Sequence, residues 1–139
     1  MQLFYRVNFG YHRVFFANSG AEANEAAIKI VRLFANNKGI EQPAIISANE
    51  SFHGRTMATL SATGNSKVQD GFSPLVSEFI HVEFDDIEAI SKHSNNDNIV
   101  AVMLEPIQGE AGVIIPQPDY LNHVKSLCEK NDWLLILDE

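Results

Sequence analysis

The chain has 139 residues, 45% hydrophobic and 20% charged, and this balance is typical of one soluble globular domain. Eighteen acidic against ten basic residues give a formal net charge of -8, which argues against nucleic-acid binding because such proteins need a basic surface to neutralise phosphates. A single cysteine, Cys128, excludes an internal disulfide framework and a multi-cysteine zinc site, and it is compatible with a reducing compartment.

The first residues of the chain carry no recognisable motif, and residues 1–13 are left unassigned. Arg6, Asn8 and Gly10 interrupt the apolar character of this segment before it is long enough for the core of a signal peptide. No stretch of the chain approaches the length of a transmembrane span. We therefore predict no membrane association and expect a cytoplasmic protein.

The first predicted helix follows the short apolar run at 14–17. Ser19 has the character of a helix cap, and a polar, glycine-containing stretch at 36–39 stops the helix. Its buried face is predicted to contain four residues at helical spacing, namely Ala27, Ile30, Val31 and Phe34.

Strands and helices then alternate to the end of the chain. Strands are predicted at 44–46, 79–82, 99–104 and 134–137, helices at 56–62 and 86–93, and loops or turns at 64–66, 71–74 and 94–98. Pro118 suits the first turn of a last helix, in which Leu121, Val124 and Cys128 form an apolar stripe. The alternation predicts an α/β fold with a mainly parallel sheet and flanking helices. Because the run at 134–137 is continuously apolar, it predicts a strand covered on both faces.

A turn of small residues leads into the first helix. The backbone amides of Gly20 and Ala21 are suited to hold an anion, since unpaired N–H groups and the helix dipole favour phosphate at a helix start. The alternative is a capping box formed by Ser19 and Glu22, and taken alone this motif favours the capping box.

An aromatic residue, an imidazole and a guanidinium surround one glycine at 52–55. Phe52 is suited to stack on a planar ring, and Arg55 to clamp a carboxylate through two hydrogen bonds. The alternative is an ordinary loop with a half-buried phenylalanine and a surface arginine. His53 is more often a hydrogen-bonded structural residue than a catalyst.

Carboxylates follow two of the predicted strands. Glu105 and Glu110 come after the strand at 99–104, and Asp138 comes after the strand at 134–137. Open α/β sheets bind ligands outside the carboxyl ends of their strands, so Asp138 is predicted to be functional. The two glutamates are either a general acid/base pair or acids of a solvent-facing turn. A nucleotide hydrolase also has an acid after a buried strand, but this sequence lacks the required phosphate loop.

Taken together, the four motifs resemble those of the class III pyridoxal-phosphate aminotransferases, most closely the acetylornithine and ornithine branch. The motifs are SGAEA at 19–23, FHGR at 52–55, EPIQGE at 105–110 and LDE at 137–139. The resemblance implies that 14–139 is part of the large, pyridoxal-phosphate-binding domain of a fold-type I enzyme. It also implies a homodimer with active sites at the subunit interface.

The resemblance also implies roles for single residues. The cofactor-binding residues are expected to be Ser19, Gly20, Ala21, Phe52 and Asp138, and the substrate-binding residues Arg55, Glu105 and Glu110. The amides of Gly20 and Ala21 bind the cofactor phosphate, with Ser19 beside them. Phe52 stacks on the pyridine ring and Asp138 binds the pyridine nitrogen. Among the substrate-binding residues, Arg55 binds the α-carboxylate.

In the family, the lysine that holds the cofactor covalently lies downstream of the position of Asp138. The lysines of this chain all fall outside the matching motif, namely Lys29, Lys38, Lys67, Lys92, Lys125 and Lys130. We therefore assign no catalytic residue, and we expect a partial domain, truncated before that lysine and inactive alone.

The implied reaction moves an amino group from acetylornithine, or a related diamine-derived amino acid, to 2-oxoglutarate. Its partners are accordingly small amino acids and 2-oxo acids. The alternatives are an ornithine or 4-aminobutyrate aminotransferase, and a non-catalytic remnant that binds the cofactor.

Overall fold

The computed structural model describes residues 13–139, and these form a four-stranded sheet with helices on both faces. The strands are β1 (Ala44–Ala48), β2 (Phe79–Val82), β3 (Ile99–Leu104) and β4 (Leu134–Leu137). The helices are α1 (Gly20–Asn37), α2 (Met57–Ala62), α3 (Ser66–Gln69), α4 (Ile87–Ser91) and α5 (Tyr120–Asn131). All neighbouring strands pair in parallel. The predicted α/β class with a mainly parallel sheet is confirmed.

The strand order is β2-β1-β3-β4, so the chain changes direction across the sheet. From β1 it crosses to β2 on one side, returns past β1 to β3, and continues outward to β4. The connections therefore diverge at the boundary between β1 and β3. Ligands of open parallel sheets bind outside the carboxyl ends of strands at such a point.

The core has two layers, one on each face of the sheet, because successive strand residues point to opposite faces. On one face Ile46 and Val102 pack with Val124 and Cys128 of α5. On the other face Ile45, Ala101 and Met103 pack with Ile28 and Val31 of α1 and with Ala62 of α2. The central strands are thus buried on both sides, as the apolar run at 99–104 predicts.

Helix α1 buries a different face from the one predicted. Its buried residues are Asn24, Ile28, Val31 and Ala35. Of the four predicted residues only Val31 is fully buried, and Ile30 is 58% exposed. Ile30 lies two positions after Ile28, about 200° around a helix of 3.6 residues per turn, so both cannot face the sheet.

Strand β4 is half-buried rather than covered on both faces. It pairs only with β3 within residues 13–139, so it is the edge strand of the described sheet. Leu134 and Ile136 pack toward one layer and Leu135 toward the other, while Leu137 stays 42% exposed. An apolar run predicts a strand, but its place in the sheet decides how much of it is covered.

Two smaller differences concern helix boundaries. Ser66, predicted to lie in a loop, begins the short helix α3. Pro118 precedes α5 instead of lying in its first turn, because the helix starts at Tyr120 with Asp119 as its N-cap. None of the helices in this part of the chain has the length and apolar character needed to cross a membrane.

Candidate active site

A cleft of about 580 Å³ opens at the carboxyl edge of the sheet. It is lined by Gly20, Ala21, Asn24, Phe52, His53, Gly54, Arg55, Glu105, Gly109, Glu110, Asp138 and Glu139. These residues come from α1, the loop after β1, the turn after β3 and the segment after β4. The fold therefore brings the four sequence motifs together. Of the eight predicted site residues, only Ser19 is not among those that line the cleft.

The start of α1 presents backbone donors to the cleft. Ser19 is the N-cap, and its Oγ accepts a hydrogen bond from the Glu22 amide at 3.2 Å. The Glu22 carboxylate accepts from the backbone and side-chain nitrogens of Asn18, at 2.8 and 2.9 Å. The amides of Gly20 and Ala21 have no acceptor within residues 13–139, as expected in the first turn of a helix. Capping by Ser19 and an anion site at Gly20 and Ala21 are therefore compatible.

The loop after β1 is held close to α1 and α2. The His53 amide donates to Thr63 Oγ1 at 2.9 Å. Gly54 has φ +131°, and a Cβ built there would lie 2.9 Å from Ala21 Cβ and 2.6 Å from Thr59 Oγ1. Glycine is required at this position both by its backbone conformation and by the lack of space.

Phe52 and Arg55 form the side of the cleft nearest this loop. Phe52 is half-buried, Arg55 is exposed, and the guanidinium carbon lies 6.0 Å from the centre of the phenyl ring. This burial is what an ordinary loop with a half-buried phenylalanine and a surface arginine predicts, yet both residues line the cleft. Among residues 13–139 Arg55 takes part in no salt bridge, so its guanidinium is available to a carboxylate ligand.

Glu105 connects two sides of the cleft. Its Oε2 accepts from the Phe52 amide at 3.1 Å, and its Oε1 accepts from the Gly109 amide at 3.4 Å. The buried carboxylate thereby joins the loop after β1 to the turn after β3. Glu110 is exposed and lines the cleft. Substrate contact by either glutamate stays a prediction.

Asp138 lines the cleft and lies directly after β4. Its amide donates to the carbonyl of Leu104 at 2.9 Å, and its side chain is 19% exposed. Its Oδ2 lies 2.8 Å from Asn24 Nδ2 and 2.8 Å from His53 Nδ1. Oδ1 has no donor in the described part of the chain. The carboxylate thus keeps one oxygen free to accept a hydrogen bond from a ligand.

Two partners of Asp138 were not predicted as site residues. His53 is fully buried in its side chain and contacts the carboxylate, which agrees with the expectation of a hydrogen-bonded structural residue. Asn24 carried no prediction. The available signal was a polar residue on the apolar face of α1, four positions before Ile28.

Known proteins share both the sequence and the fold. The family model described as "Aminotransferase class-III" matches residues 2–139. An acetylornithine aminotransferase from Nitrosomonas europaea is 56% identical over 131 residues, 94% of this chain and 33% of that relative. The enzyme of the same name from Methanothermobacter thermautotrophicus is 52% identical over 93% of this chain and 32% of its own length. The chain thus spans about a third of the length of the curated relatives it matches.

Solved structures give the same result. The ornithine aminotransferase from Toxoplasma gondii superimposes with a TM-score of 0.89 at 37% identity, over 94% of this chain and 32% of that one. An (S)-enantioselective omega-transaminase from Thermomicrobium roseum gives a TM-score of 0.80 at 30% identity, over 87% of this chain and 32% of that one. Because the family model matches nearly the whole of this chain and the four motifs meet in one cleft, this chain belongs to the class III aminotransferases, a family of pyridoxal-phosphate-dependent enzymes.

Proposed function

We propose that the full-length protein transfers an amino group from acetylornithine, or a closely related diamine-derived amino acid, to 2-oxoglutarate in arginine biosynthesis. The name shared by the curated relatives, at up to 56% identity, supports the donor. The observation that carries the proposal is the Asp138 carboxylate, held at the carboxyl edge of the sheet with Oδ1 free.

The residues of the cleft suit pyridoxal phosphate. The unpaired amides of Gly20 and Ala21 would bind its phosphate, the Phe52 ring would lie against its pyridine ring, and Asp138 Oδ1 would accept from its ring nitrogen. The volume of about 580 Å³ lies within the roughly 300–1,000 Å³ common for such ligands. We retain Ser19 as a residue that supports the phosphate site through the cap of α1.

The roles of the protein groups follow from their chemistry. When bound, the cofactor withdraws electrons from the carbon that bears the transferred amino group, the Cδ of acetylornithine, and so makes loss of its proton feasible. Asp138 would keep a proton on the ring nitrogen, through a charge-assisted hydrogen bond of roughly 1.5–3 kcal/mol. Arg55 would bind the α-carboxylate bidentately. Acetylornithine carries its α-carboxylate far from the transferred δ-amino group, and 2-oxoglutarate carries its second carboxylate away from the reacting carbonyl carbon. The same guanidinium would therefore serve both half-reactions. We assign Glu105 and Glu110 to the substrate side of the cleft.

We further propose that the 139-residue chain does not transaminate by itself. None of the residues lining the described cleft is a lysine, the side chain that holds the cofactor covalently in this family. The test is to incubate the purified chain with acetylornithine and 2-oxoglutarate and to measure glutamate, which should not form. Sustained turnover by the purified chain would contradict this proposal.

A homodimer is proposed for the full-length protein. The segment that leads into α1 exposes three large apolar side chains, Val14, Phe15 and Phe16, at 73%, 73% and 88%. Such a group of apolar side chains is suited to an interface between subunits. The cytoplasm is the proposed compartment, with which the one cysteine is compatible.

Arg55 gives the sharpest test of the proposed chemistry. In the full-length protein, Arg55→Lys should raise KM about tenfold or more for acetylornithine and for 2-oxoglutarate alike, because lysine cannot form the bidentate pair. The matched control is Arg32→Lys, an exposed arginine on α1 that does not line the cleft. A rise in KM for only one of the two substrates would refute a guanidinium shared by both half-reactions.

An ornithine aminotransferase is the second candidate, since the Toxoplasma gondii enzyme of that name has the same fold over 94% of this chain. Acetylornithine, ornithine and 4-aminobutyrate should be compared as donors with the full-length protein. The highest kcat/KM is expected for acetylornithine. A higher kcat/KM for ornithine or 4-aminobutyrate would make that compound the proposed donor instead. Cofactor binding without turnover of any donor would favour the non-catalytic remnant.

A further inference from the structure

We propose that Asn24, together with His53, is a positioning residue that aims the free oxygen of Asp138 at the ring nitrogen of the cofactor. This inference rests on the function proposed above and extends it to residues that do not contact the cofactor's reacting atoms.

The carboxamide of Asn24 can adopt only one orientation. Its Nδ2 donates to Asp138 Oδ2 at 2.8 Å and to the carbonyl of His53 at 2.9 Å. Both partners are acceptors, so a flipped amide would place its own oxygen against two other oxygens. The side chain is buried, which makes such an arrangement costly. Asn24 therefore joins α1 to the loop after β1 and to the segment after β4.

The imidazole of His53 supplies a second donor to the same oxygen. Its Nδ1 lies 2.8 Å from Asp138 Oδ2, and since a carboxylate oxygen only accepts, Nδ1 carries the proton. The other nitrogen, Nε2, is buried and has no partner within residues 13–139. The imidazole therefore serves Asp138 as a donor through Nδ1 and makes no other hydrogen bond in the described part of the chain.

These bonds leave Asp138 with two chemically different oxygens. Oδ2 is occupied by donors from two separate segments, which fixes the rotation of the carboxylate. Asp138 lines the cleft, and Oδ1 keeps its full capacity as an acceptor because no donor among residues 13–139 bonds to it. Because Asp138 follows a half-buried edge strand, packing around β4 alone restrains its side chain little. Preorganised groups of this kind stabilise charge on a ligand without rearrangement during the reaction.

A comparison of two cofactors separates this role from a purely structural one. In the full-length protein, the Kd of pyridoxal 5′-phosphate is compared with that of its 1-deaza analogue, which has a carbon in place of the ring nitrogen. Wild-type protein should prefer the natural cofactor. In Asn24→Ala that preference should fall about tenfold, because a misaimed charge-assisted hydrogen bond loses about 1.4 kcal/mol. If Asn24→Ala weakened the binding of both cofactors equally, the proposal would be overturned.

Gln69→Ala is the matched control. The Gln69 amide also donates to two acceptors, the carbonyls of Leu60 and Thr63 at 3.1 and 2.7 Å, but it does not line the cleft. Its loss should leave the preference between the two cofactors unchanged. A tenfold drop in this control as well would show that any side-chain amide with two acceptors has the same effect, and would also overturn the proposal.

A second pair of variants tests the same oxygen without altering α1. His53→Asn places an amide donor near the position of Nδ1 and should retain most of the preference, whereas His53→Ala should lose it. Equal preferences in the two variants would exclude His53 as a positioning donor. If the wild-type protein itself does not distinguish the two cofactors, the role of Asp138 fails and the proposed function with it. A wild-type preference that Asn24→Ala leaves intact refutes only the present inference.

Discussion

Gly54 is the position at which one methyl group should disturb the cleft most. Its φ is +131°, and the Cβ of an alanine would lie 2.6 Å from Thr59 Oγ1 and 2.9 Å from Ala21 Cβ. Gly71 offers a matched comparison, since its φ is +83° and a Cβ there would meet no atom within 4 Å. Gly54→Ala therefore combines backbone strain with a collision, and Gly71→Ala has the strain alone.

The expected magnitudes follow from these two terms. A non-glycine residue held at an unfavourable positive φ costs about 1–3 kcal/mol, and this term applies to both variants. Forcing a methyl group into occupied space costs about 1–3 kcal/mol more, and this term applies only to Gly54→Ala. For a chain of this size each kcal/mol lowers Tm by roughly 3 °C. The Tm of Gly54→Ala should thus lie roughly 3–9 °C below that of Gly71→Ala.

Thermal unfolding followed by circular dichroism without cofactor measures this difference. Binding of pyridoxal 5′-phosphate provides a second measurement, because Gly54→Ala pushes against Ala21, whose amide is proposed to hold the phosphate. Equal Tm values for the two variants would refute the steric argument. A destabilised Gly54→Ala that binds the cofactor normally would show instead that the clash is relieved at Thr59.

Three further predictions concern pH, reactivity and one buried carboxylate. Burial lowers the pKa of His81 below its ordinary 6.5. The free energy of unfolding should therefore be highest above about pH 6.5, and it should decrease as the pH falls from 6.5 through the lowered pKa. Denaturant titrations at pH 7 and at pH 5 measure this decrease. Between the two pH values His81→Gln should lose less free energy of unfolding than wild type, and an equal loss would contradict the attribution of the decrease to His81. Burial raises the pKa of Cys128 to about 11, so a disulfide reagent at pH 8 should label it slowly in the native chain and quickly in guanidinium, and rapid native labelling would exclude a buried thiol. Glu105→Ala should cost about 1–3 kcal/mol of stability by leaving two amides without their acceptor, whereas the exposed Glu110→Ala should cost under about 0.5 kcal/mol, and similar losses in both would contradict the connecting role of Glu105.

The positions of many helices and strands could be predicted because they depend on the local sequence. The run at 99–104 predicted β3 to the residue, and the polar stretch at 36–39 predicted the end of α1. The exposure of Leu137 was not predictable, because it depends on β4 lying at an edge of the described sheet. Alternating helices and strands predict a parallel sheet but do not give its strand order.

In the site, too, some features could be predicted from local sequence and others depend on the tertiary arrangement. Asp138 and Glu105 were expected at one edge because parallel strands end on the same side of a sheet. The distinction between a ligand-facing and an occupied oxygen on Asp138 arises from Asn24 and His53, which no local pattern links to it. Periodicity on α1 suggested an apolar face, but not that the buried Asn24 would bind a residue near the other end of the chain.

The hydrogen bonds at Asp138 also bear on how the domain folds. Asn24 and Asp138 are 114 positions apart, and His53 and Asp138 are 85 apart. Contacts of such separation repay their loop-closure entropy only after the intervening strands have paired, so the cleft should be among the last regions to form. A cofactor that touches both α1 and the end of β4 would then bind only the completely paired sheet. At one hundred times its Kd, such a ligand adds about 2.7 kcal/mol to the stability of the whole domain. The cofactor would thereby also keep the chain from partial unfolding.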